Sequence, residues 1–202
     1  MALKKTAREL KNEAHEKAVL CAAASLFGEY GFDRVTVDDI CEAAEVGKST
    51  FYNLYKSKDD LMMVATVKSR GQYIEEHYQY EEAVPLRELL RRFFEVNFDY
   101  VRLDSREQTR QIYKGYMSTG NLLGDRENAY VVELYRLVDR GLAEHALSAA
   151  LSRQEHWQLM SDAMIGCFIG WCTHIADAPG LDESYRRMLD ALAVGFCVNG
   201  SK

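Results

Sequence analysis

Apolar side chains recur along most of the chain at the three- and four-residue intervals of an α-helix. In residues 12–30 this pattern ends at Gly31, a residue that commonly follows the last turn of a helix. Two shorter runs of the same kind occupy residues 37–44 and 48–55. The other segments with helical periodicity are 59–79, 85–102, 105–118, 126–150, 153–176 and 182–197. The pattern therefore predicts nine helices and an all-α protein.

Capping sequences mark several of the predicted helix starts. Thr36 and Ser152 each precede an acidic residue by three positions, which is the spacing of a capping box. Ser105 precedes Gln108 by the same spacing, and Pro85 stands near the first turn of another helix. Only two prolines occur in the 202 residues, which agrees with a chain made mainly of helices.

Positive charge is concentrated in two short segments, although the whole chain carries a net charge of −6. Residues 46–58 contain three lysines and no acid. Residues 1–11 contain four basic side chains and one acid. Local clusters of this kind are typical of surfaces that contact phosphate. The basic side chains of the N-terminal segment, which either reach along DNA or form a solvated tail, are Lys4, Lys5, Arg8 and Lys11.

The sequence GKST at residues 47–50 resembles the end of a nucleotide-binding P-loop. A P-loop has a further glycine five residues before its Gly-Lys-Ser/Thr, and it follows a β-strand. This chain has Glu42 at that position, inside a predicted helix. The four residues are therefore better interpreted as the turn and first residues of a short helix.

That short helix has a polar side and an aromatic side. Phe51 and Tyr55 lie opposite the polar residues, so we expect them to anchor the helix in its own domain. The polar residues, spaced at i, i+3, i+4 and i+7, are Ser49, Tyr52, Asn53 and Lys56. Together with the helix predicted over 37–44 and the intervening turn, the segment has the pattern of a helix-turn-helix.

Residues 22–62 combine these features with a dense set of residues typical of one family. These are Phe27, Gly31, Phe32, Thr36, Val37, Asp39, Ile40, Ala44, Val46, Ser49, Thr50, Phe51, Tyr52, Tyr55, Lys56, Lys58 and Leu61. The segment resembles the N-terminal domain of the tetracycline-repressor (TetR) family of transcriptional regulators. The resemblance implies a homodimeric repressor that binds a palindromic operator in double-stranded DNA and is released by a small-molecule effector. It also implies a nine-helix, two-domain architecture.

By this resemblance, residues 1–58 form the helix-turn-helix DNA-binding domain and residues 59–202 form an effector-binding and dimerisation domain. The residues that it assigns to DNA contact are Thr36, Lys48, Ser49, Thr50, Tyr52, Asn53 and Lys58. Thr36 would cap the second helix and touch phosphate, and the Tyr52 hydroxyl would donate to phosphate. Lys58 would hold a phosphate at the start of the fourth helix.

Three residues depart from the family pattern. Asp38 stands where many members have a base-contacting Arg or Lys, so it either points away from DNA or selects cytosine. Leu54 replaces a frequent His, and either contacts a thymine methyl or is buried. Glu45 occupies a turn position that is often Gly, and a left-handed backbone there would cost about 1 kcal/mol or more.

The predicted second domain contains polar and aromatic residues that suit an effector pocket. Asn97 is an amide on an otherwise apolar helix face, and it is either a core residue bonded to nearby backbone or a ligand-orienting group. Cys167, Trp171 and His174 recur at i, i+4 and i+7. The full set of candidate pocket residues is Phe94, Asn97, Tyr113, Tyr116, Cys167, Trp171 and His174.

The last two predicted helices carry a candidate dimer interface, as in the family. Gly166 and Gly170 are four residues apart, which permits close approach of another helix. An apolar stripe on the final helix would complete the interface. The candidate interface residues are Gly166, Gly170, Tyr185, Met188, Leu189, Leu192 and Phe196.

Other chemistry is not indicated. Cys167 and Cys172 diverge by about 140° around a helix, so they do not suit one metal ion, and no metal or cofactor is expected. The five histidines are scattered, so no enzymatic site is expected either.

The polar N-terminus lacks a signal peptide, the longest uncharged run is too short to cross a membrane, and reduced thiols suit the cytoplasm. The alternative function is a DNA-bound structural or protein-recruiting module without an effector.

Overall fold

A computed structural model of the chain describes residues 6–119, 128–173 and 180–195. In these ranges the chain forms nine α-helices and one short 3-10 turn, Phe32–Arg34. The helices are α1 (Ala7–Tyr30), α2 (Val37–Ala43), α3 (Lys48–Leu54), α4 (Lys58–His77), α5 (Leu86–Arg102), α6 (Arg106–Thr119), α7 (Ala129–Ala143), α8 (Arg153–Cys172) and α9 (Leu181–Gly195). The predicted all-α class is confirmed. None of the described helices is both long and apolar enough to cross a membrane.

The predicted capping boxes form at the starts of α2 and α8. The Asp39 N–H donates to Thr36 Oγ1 at 3.2 Å, and the Thr36 N–H donates to the Asp39 carboxylate at 2.7 Å. Ser152 and Glu155 make the same reciprocal pair. A third box, which the sequence analysis missed, joins Thr6 to Glu9. Because it starts α1 at Ala7, the side chains of Arg8 and Lys11 stand on a helix rather than on a tail.

Helix α7 is shorter than its predicted extent of 126–150. It ends at Ala143, after which His145 takes a left-handed backbone with φ of 54°. The N–H groups of Ala146 and Leu147 both donate to the Gly141 carbonyl, at 2.9 and 3.0 Å. This turn folds the Leu147 side chain back onto the helix, where it is 3% exposed. The apolar residues after 143 therefore belong to a turn that packs against α7, and they do not extend the helix.

The described residues divide into two compact units. The first contains residues 1–66 and 115–120, and the second contains residues 67–114 and 121–202. The predicted domain division at 58/59 remains a prediction, since the first unit also includes the start of α4. The core of the first unit consists of Val19, Ala23, Val35, Ile40, Cys41, Phe51, Tyr55 and Leu61.

The core of the second unit is built around α5. One face of this helix is buried and includes Phe93, Phe94 and Phe98. The Phe93 ring lies 5.4 Å from the Tyr130 ring on α7, and the Phe98 ring lies 4.7 Å from the Phe168 ring on α8. Helix α9 packs on both α5 and α8. These contacts make α5, α7 and α8 the frame that holds the second unit's buried polar groups.

Candidate DNA-binding and effector sites

The turn between α2 and α3 holds the two helices in a fixed relation. Glu45 has φ of 53°, so it adopts the left-handed backbone expected from its position in the sequence. The N–H of the next residue, Val46, donates to the Cys41 carbonyl at 3.0 Å and closes the end of α2. Helix α3 then begins at Lys48 with Gly47 as its N-terminal cap.

Phe51 fixes the rotation of α3 about its own axis. Its side chain is fully buried in the core of the first unit, and its ring lies 5.7 Å from that of Tyr55, which is also buried. The predicted core roles of Phe51 and Tyr55 are confirmed. With this side turned inward, α3 exposes Lys48, Ser49, Tyr52 and Asn53, and leaves Thr50 half-buried.

The exposed face of α3 therefore carries polar groups suited to base and phosphate contact. The Tyr52 side chain is 57% exposed, so its hydroxyl is accessible from solvent. Asn53 presents both an amide donor and a carbonyl acceptor, the combination that pairs with adenine. Thr36 lies at the start of α2 with its hydroxyl bonded to Asp39. The side chain of Leu54, in contrast, packs partly buried against the core, as one of its two alternatives predicted.

Asp38 and Lys48 form an ion pair between α2 and α3. Lys48 Nζ lies 2.8 Å from Asp38 Oδ1, and the two side chains are 62% and 65% exposed. The hydrogen bond from Lys48 to this carboxylate raises the pKa of the lysine. Asp38 therefore contacts Lys48, a residue of the exposed polar face of α3.

Lys58 has a structural role that differs from the predicted phosphate contact. Its Nζ donates to the carbonyls of Phe32 and Val35, at 2.7 and 2.8 Å. It also lies 4.2 Å from the centroid of the Phe32 ring. Two of the three ammonium N–H groups are thus used to tie the start of α4 to the segment before α2. This role has no signal in the sequence, because both acceptors are backbone groups 26 and 23 residues away.

We expect Lys58→Met to lower the stability of the first unit by about 1.5–3 kcal/mol, since hydrogen bonds from a charged donor are lost. Methionine keeps the aliphatic stem, so the change tests the ammonium group. Urea unfolding followed by circular dichroism measures the effect. Lys56→Met is the matched control, because Lys56 is exposed and its side chain makes no hydrogen bond or ion pair within the described ranges. Equal stability of the two variants would contradict the structural role.

Three of the candidate effector residues lie in the core of the second unit. Phe94, Asn97 and Tyr113 are at most 5% exposed. Asn97 Nδ2 donates to the Phe93 carbonyl at 2.8 Å, whereas Asn97 Oδ1 has no hydrogen-bond partner in the described part of the chain. One half of the amide thus behaves as a core residue, and the other half is a buried acceptor without a partner in the described part of the chain.

The other candidate effector residues have different neighbours. Tyr116 is half-buried and belongs to the segment of α6 in the first unit, whereas Asn97 belongs to the second unit. The Cys167 thiol donates to the Ser184 carbonyl on α9 at 3.6 Å, and burial raises its pKa. The Arg106 guanidinium lies 5.5 Å from the centroid of the Trp171 ring. His174 lies outside the described residues.

The structure adds a buried polar cluster that the sequence analysis missed. Arg70 on α4 is 3% exposed, and its guanidinium lies 4.9 Å from the Tyr130 ring centroid. The Tyr130 hydroxyl donates to Ser161 Oγ at 3.2 Å, and burial raises the Tyr130 pKa to about 12. The Tyr130 ring also lies 5.4 Å from the ring of Phe93, which precedes Asn97 by about one turn of α5. Arg70 sits in a segment rich in polar residues, so no sequence signal distinguished it from a solvated arginine.

Two predicted interface residues, Tyr185 and Met188, contact other helices of the same protomer, and their place in a dimer interface stays a prediction. The Tyr185 hydroxyl donates to the Arg91 carbonyl at 3.2 Å, and the Tyr185 ring lies 4.3 Å from the Phe98 ring. The Met188 side chain is 5% exposed. Leu189 is half-buried, whereas the side chain of Leu192 and all of Phe196 lie outside the described residues. Gly166 and Gly170 have open space, because a Cβ atom at either would meet nothing within 4 Å.

The first unit, with its short exposed α3 held against α2 by a buried aromatic residue, is a helix-turn-helix module. Residues 19–63 match the family described as bacterial regulatory proteins, tetR family. An uncharacterised helix-turn-helix regulator of Bacillus subtilis, YdeS, is 45% identical over 53 residues, which are 26% of this chain and 27% of YdeS. The match thus spans about a quarter of that regulator's length.

Two solved structures resemble nearly the whole chain in fold. The fatty acid degradation regulator FadR from Bacillus halodurans has a TM-score of 0.57 and 17% identity, over 96% of this chain and 98% of that one. FadR from Bacillus subtilis, solved in complex with stearoyl-CoA, has a TM-score of 0.57 and 18% identity, over 89% and 98%. Residues 19–63 thus form a helix-turn-helix domain of the tetR-family type, and the chain shares the fold of these two regulators. Family and fold are those of transcriptional regulators.

Proposed function

We propose that the chain is a sequence-specific DNA-binding transcriptional regulator, and that it represses its target until a small-molecule effector releases it from DNA. The observation that carries this proposal is the exposed polar face of α3, which the buried Phe51 turns outward. The match of residues 19–63 to the tetR family supports the same function. Such a protein acts on chromosomal DNA, and so in the cytoplasm.

The residues of α3 suggest how the DNA would be read. Asn53 would pair with an adenine edge in the major groove, and Tyr52 would donate its hydroxyl to a phosphate. The small side chain of Ser49 would allow the helix to approach the bases closely. Lys48 and Thr50 would contact bases or the adjacent backbone, and Thr36 would contact a phosphate from the start of α2.

A homodimer would place two such modules on a palindromic operator. We propose that the second copy packs against the open face of α8 at Gly166 and Gly170, where a Cβ meets nothing in the protomer. Two recognition helices reading successive major grooves must lie about 34–36 Å apart. An effector that favours another spacing of the two helices would release the DNA.

Selection from a library of random duplexes tests the DNA-binding function. Wild-type protein should enrich an inverted repeat whose half-sites are separated by about one helical turn, 10–10.5 base pairs from centre to centre. Enrichment of no sequence at moderate salt would contradict the proposal. Enrichment of a single, non-repeated site would contradict the homodimer alone.

We further propose that Asn97 orients the effector in the second unit, and that Phe94 and Tyr113 line the same site. Because Nδ2 must face the Phe93 carbonyl, Oδ1 faces the other way and can only accept a hydrogen bond. Leaving such an acceptor buried without a partner costs about 1–3 kcal/mol. The effector would therefore present a hydroxyl, an amide N–H or another donor within an otherwise apolar environment. The complex of Bacillus subtilis FadR with stearoyl-CoA shows that a relative of this fold binds an amphipathic ligand.

Asn97→Leu separates the structural from the ligand-binding role of this residue. Leucine has a similar volume and removes the unpartnered acceptor, so we expect the free protein to be as stable or more stable by about 1 kcal/mol. Asn97→Ala is the control, because the cavity it leaves should destabilise the protein. Thermal unfolding with 1-decanol and decyl methyl ether, which differ in one donor, measures the response.

Only the alcohol should raise the melting temperature of the wild type, and neither compound should raise that of Asn97→Leu. An equal response of the two proteins to the alcohol would contradict the role of Asn97. A wild type that responds to neither compound would favour the alternative of a DNA-bound module without an effector.

A further inference from the structure

The ion pair between Asp38 and Lys48 lies where α3 would enter the DNA groove. The two residues come from different helices, and their contact of 2.8 Å crosses from the first turn of α2 to the first residue of α3. Both side chains remain more than half exposed. An exposed pair of this kind adds little to folding stability. We therefore expect the ion pair to affect DNA binding, through the charge that the protein presents to DNA, more than folding stability.

In this pair the carboxylate neutralises a lysine that would otherwise attract phosphate. Of the three lysines in residues 46–58, Lys58 is also engaged, since it donates to the Phe32 and Val35 carbonyls. The ion pair thus offsets the charge of Lys48, whereas the bonds from Lys58 to neutral carbonyls leave its charge in place and direct two of its N–H groups into the protein. Non-specific DNA binding depends mainly on the number of phosphates that Lys and Arg side chains neutralise. We therefore expect Lys48 to contribute little to non-specific binding while the pair is intact.

Phosphates and base edges differ in what they offer to a carboxylate–ammonium pair. A phosphate has only acceptor oxygens and a negative charge, so it attracts Lys48 and repels Asp38. The major-groove edge of a base pair offers an acceptor and also a donor, such as the N4 amino group of cytosine or the N6 amino group of adenine. An intact pair therefore fits base edges better than it fits the backbone.

From this geometry we infer that Asp38 is a specificity-determining residue: it holds Lys48 away from phosphates and lets it bind only where the groove also offers a donor to Asp38. The inference rests on the proposed DNA-binding function. It resolves the two sequence-based alternatives for Asp38 in favour of contact with base edges, made jointly with Lys48. The residue would lower the affinity for random DNA more than the affinity for the operator.

Asp38→Asn tests the inference, because it removes the charge and keeps the size of the side chain. Affinity for the selected operator and for a random duplex of equal length is measured between 50 and 200 mM salt by fluorescence anisotropy. Freeing two lysines per dimer should steepen the dependence of log affinity on log salt for random DNA by up to about 2. Random-DNA affinity should rise on the order of tenfold at 100 mM salt, and the operator-to-random ratio should fall.

Two further variants control for charge and for folding. Glu42→Gln removes the same charge from α2 at an exposed residue that has no ion pair among the described residues, so its salt slope should stay close to that of the wild type. Asp38→Glu keeps the charge and should retain the operator-to-random ratio. If Asp38→Asn does not fold, Asp38→Ala takes its place.

The results separate the inference from the function on which it rests. An Asp38→Asn protein with the wild-type salt slope and the wild-type affinity ratio would overturn the inference and leave DNA binding intact. Equal changes in Asp38→Asn and Glu42→Gln would also overturn it, since net charge alone would then explain them. A wild type that does not distinguish operator from random DNA would overturn the proposed function together with this inference.

Discussion

Gly141→Ala is expected to destabilise the protein by about 2–3 kcal/mol, the upper range for overpacking a core. A Cβ atom at this position would lie 2.6 Å from both Cγ and Cδ1 of Leu147 and 2.9 Å from Cδ2 of Leu86. These neighbours have little freedom to move, because both leucines are buried and the Leu147 N–H is bonded to the Gly141 carbonyl. Chemical denaturation followed by circular dichroism measures the change.

Gly28→Ala is the control for this substitution. Gly28 lies in α1, and a Cβ there would meet nothing within 4 Å, so alanine should stabilise the helix by up to about 1 kcal/mol. The double variant Gly141→Ala with Leu147→Ala should lose less stability than the sum of the single changes, because the second removes the atoms that clash with the first. A Gly141→Ala protein as stable as Gly28→Ala would contradict the packing described for the α7 turn.

Asn53→Ala is expected to weaken binding to the selected operator by about 10- to 100-fold at each half-site, as for the loss of a bidentate base contact worth 1–3 kcal/mol. Affinity for random DNA and the salt dependence should change little, because the amide carries no charge. Fluorescence anisotropy with operator and random duplexes measures both. Thermal unfolding should match that of the wild type, since Asn53 is exposed.

Gln79→Ala is the control for Asn53→Ala. Gln79 is an exposed amide in the second unit, so its removal should leave operator affinity unchanged. If Asn53→Ala and Gln79→Ala bind the operator equally well, α3 is not the reading helix. If Asn53→Ala weakens operator and random DNA to the same extent, Asn53 does not read a base.

The exposed polar face of α3 could be predicted from the sequence because it depends on short-range order. Phe51 and Tyr55 are one turn apart, and burying them fixes which side of a seven-residue helix faces solvent. The strained turn at Glu45 could be predicted for a similar reason, since the turn between α2 and α3 has a fixed length. Capping boxes at Thr36 and Ser152 are also local signals.

The features that the sequence analysis missed depend on tertiary contacts. Lys58 looked like a phosphate ligand until the fold placed two backbone carbonyls beside it. Arg70 is buried only because α7 brings Tyr130 against it. Tyr185 and Met188 have the periodicity of an interface, but periodicity does not tell whether an apolar stripe packs within one protomer or between two. The end of α7 depends on the turn at His145, at a residue for which a left-handed backbone is not typical.

The most direct test of the central claim is a comparison of two duplexes that bind the wild-type protein under the same conditions. One carries the selected inverted repeat, and the other has the same base composition in scrambled order. At 150 mM salt the protein should bind the inverted repeat at least about 10³-fold more tightly, the lower limit for specific regulators. Equal affinity for the two duplexes would contradict the proposal that α3 reads a DNA sequence.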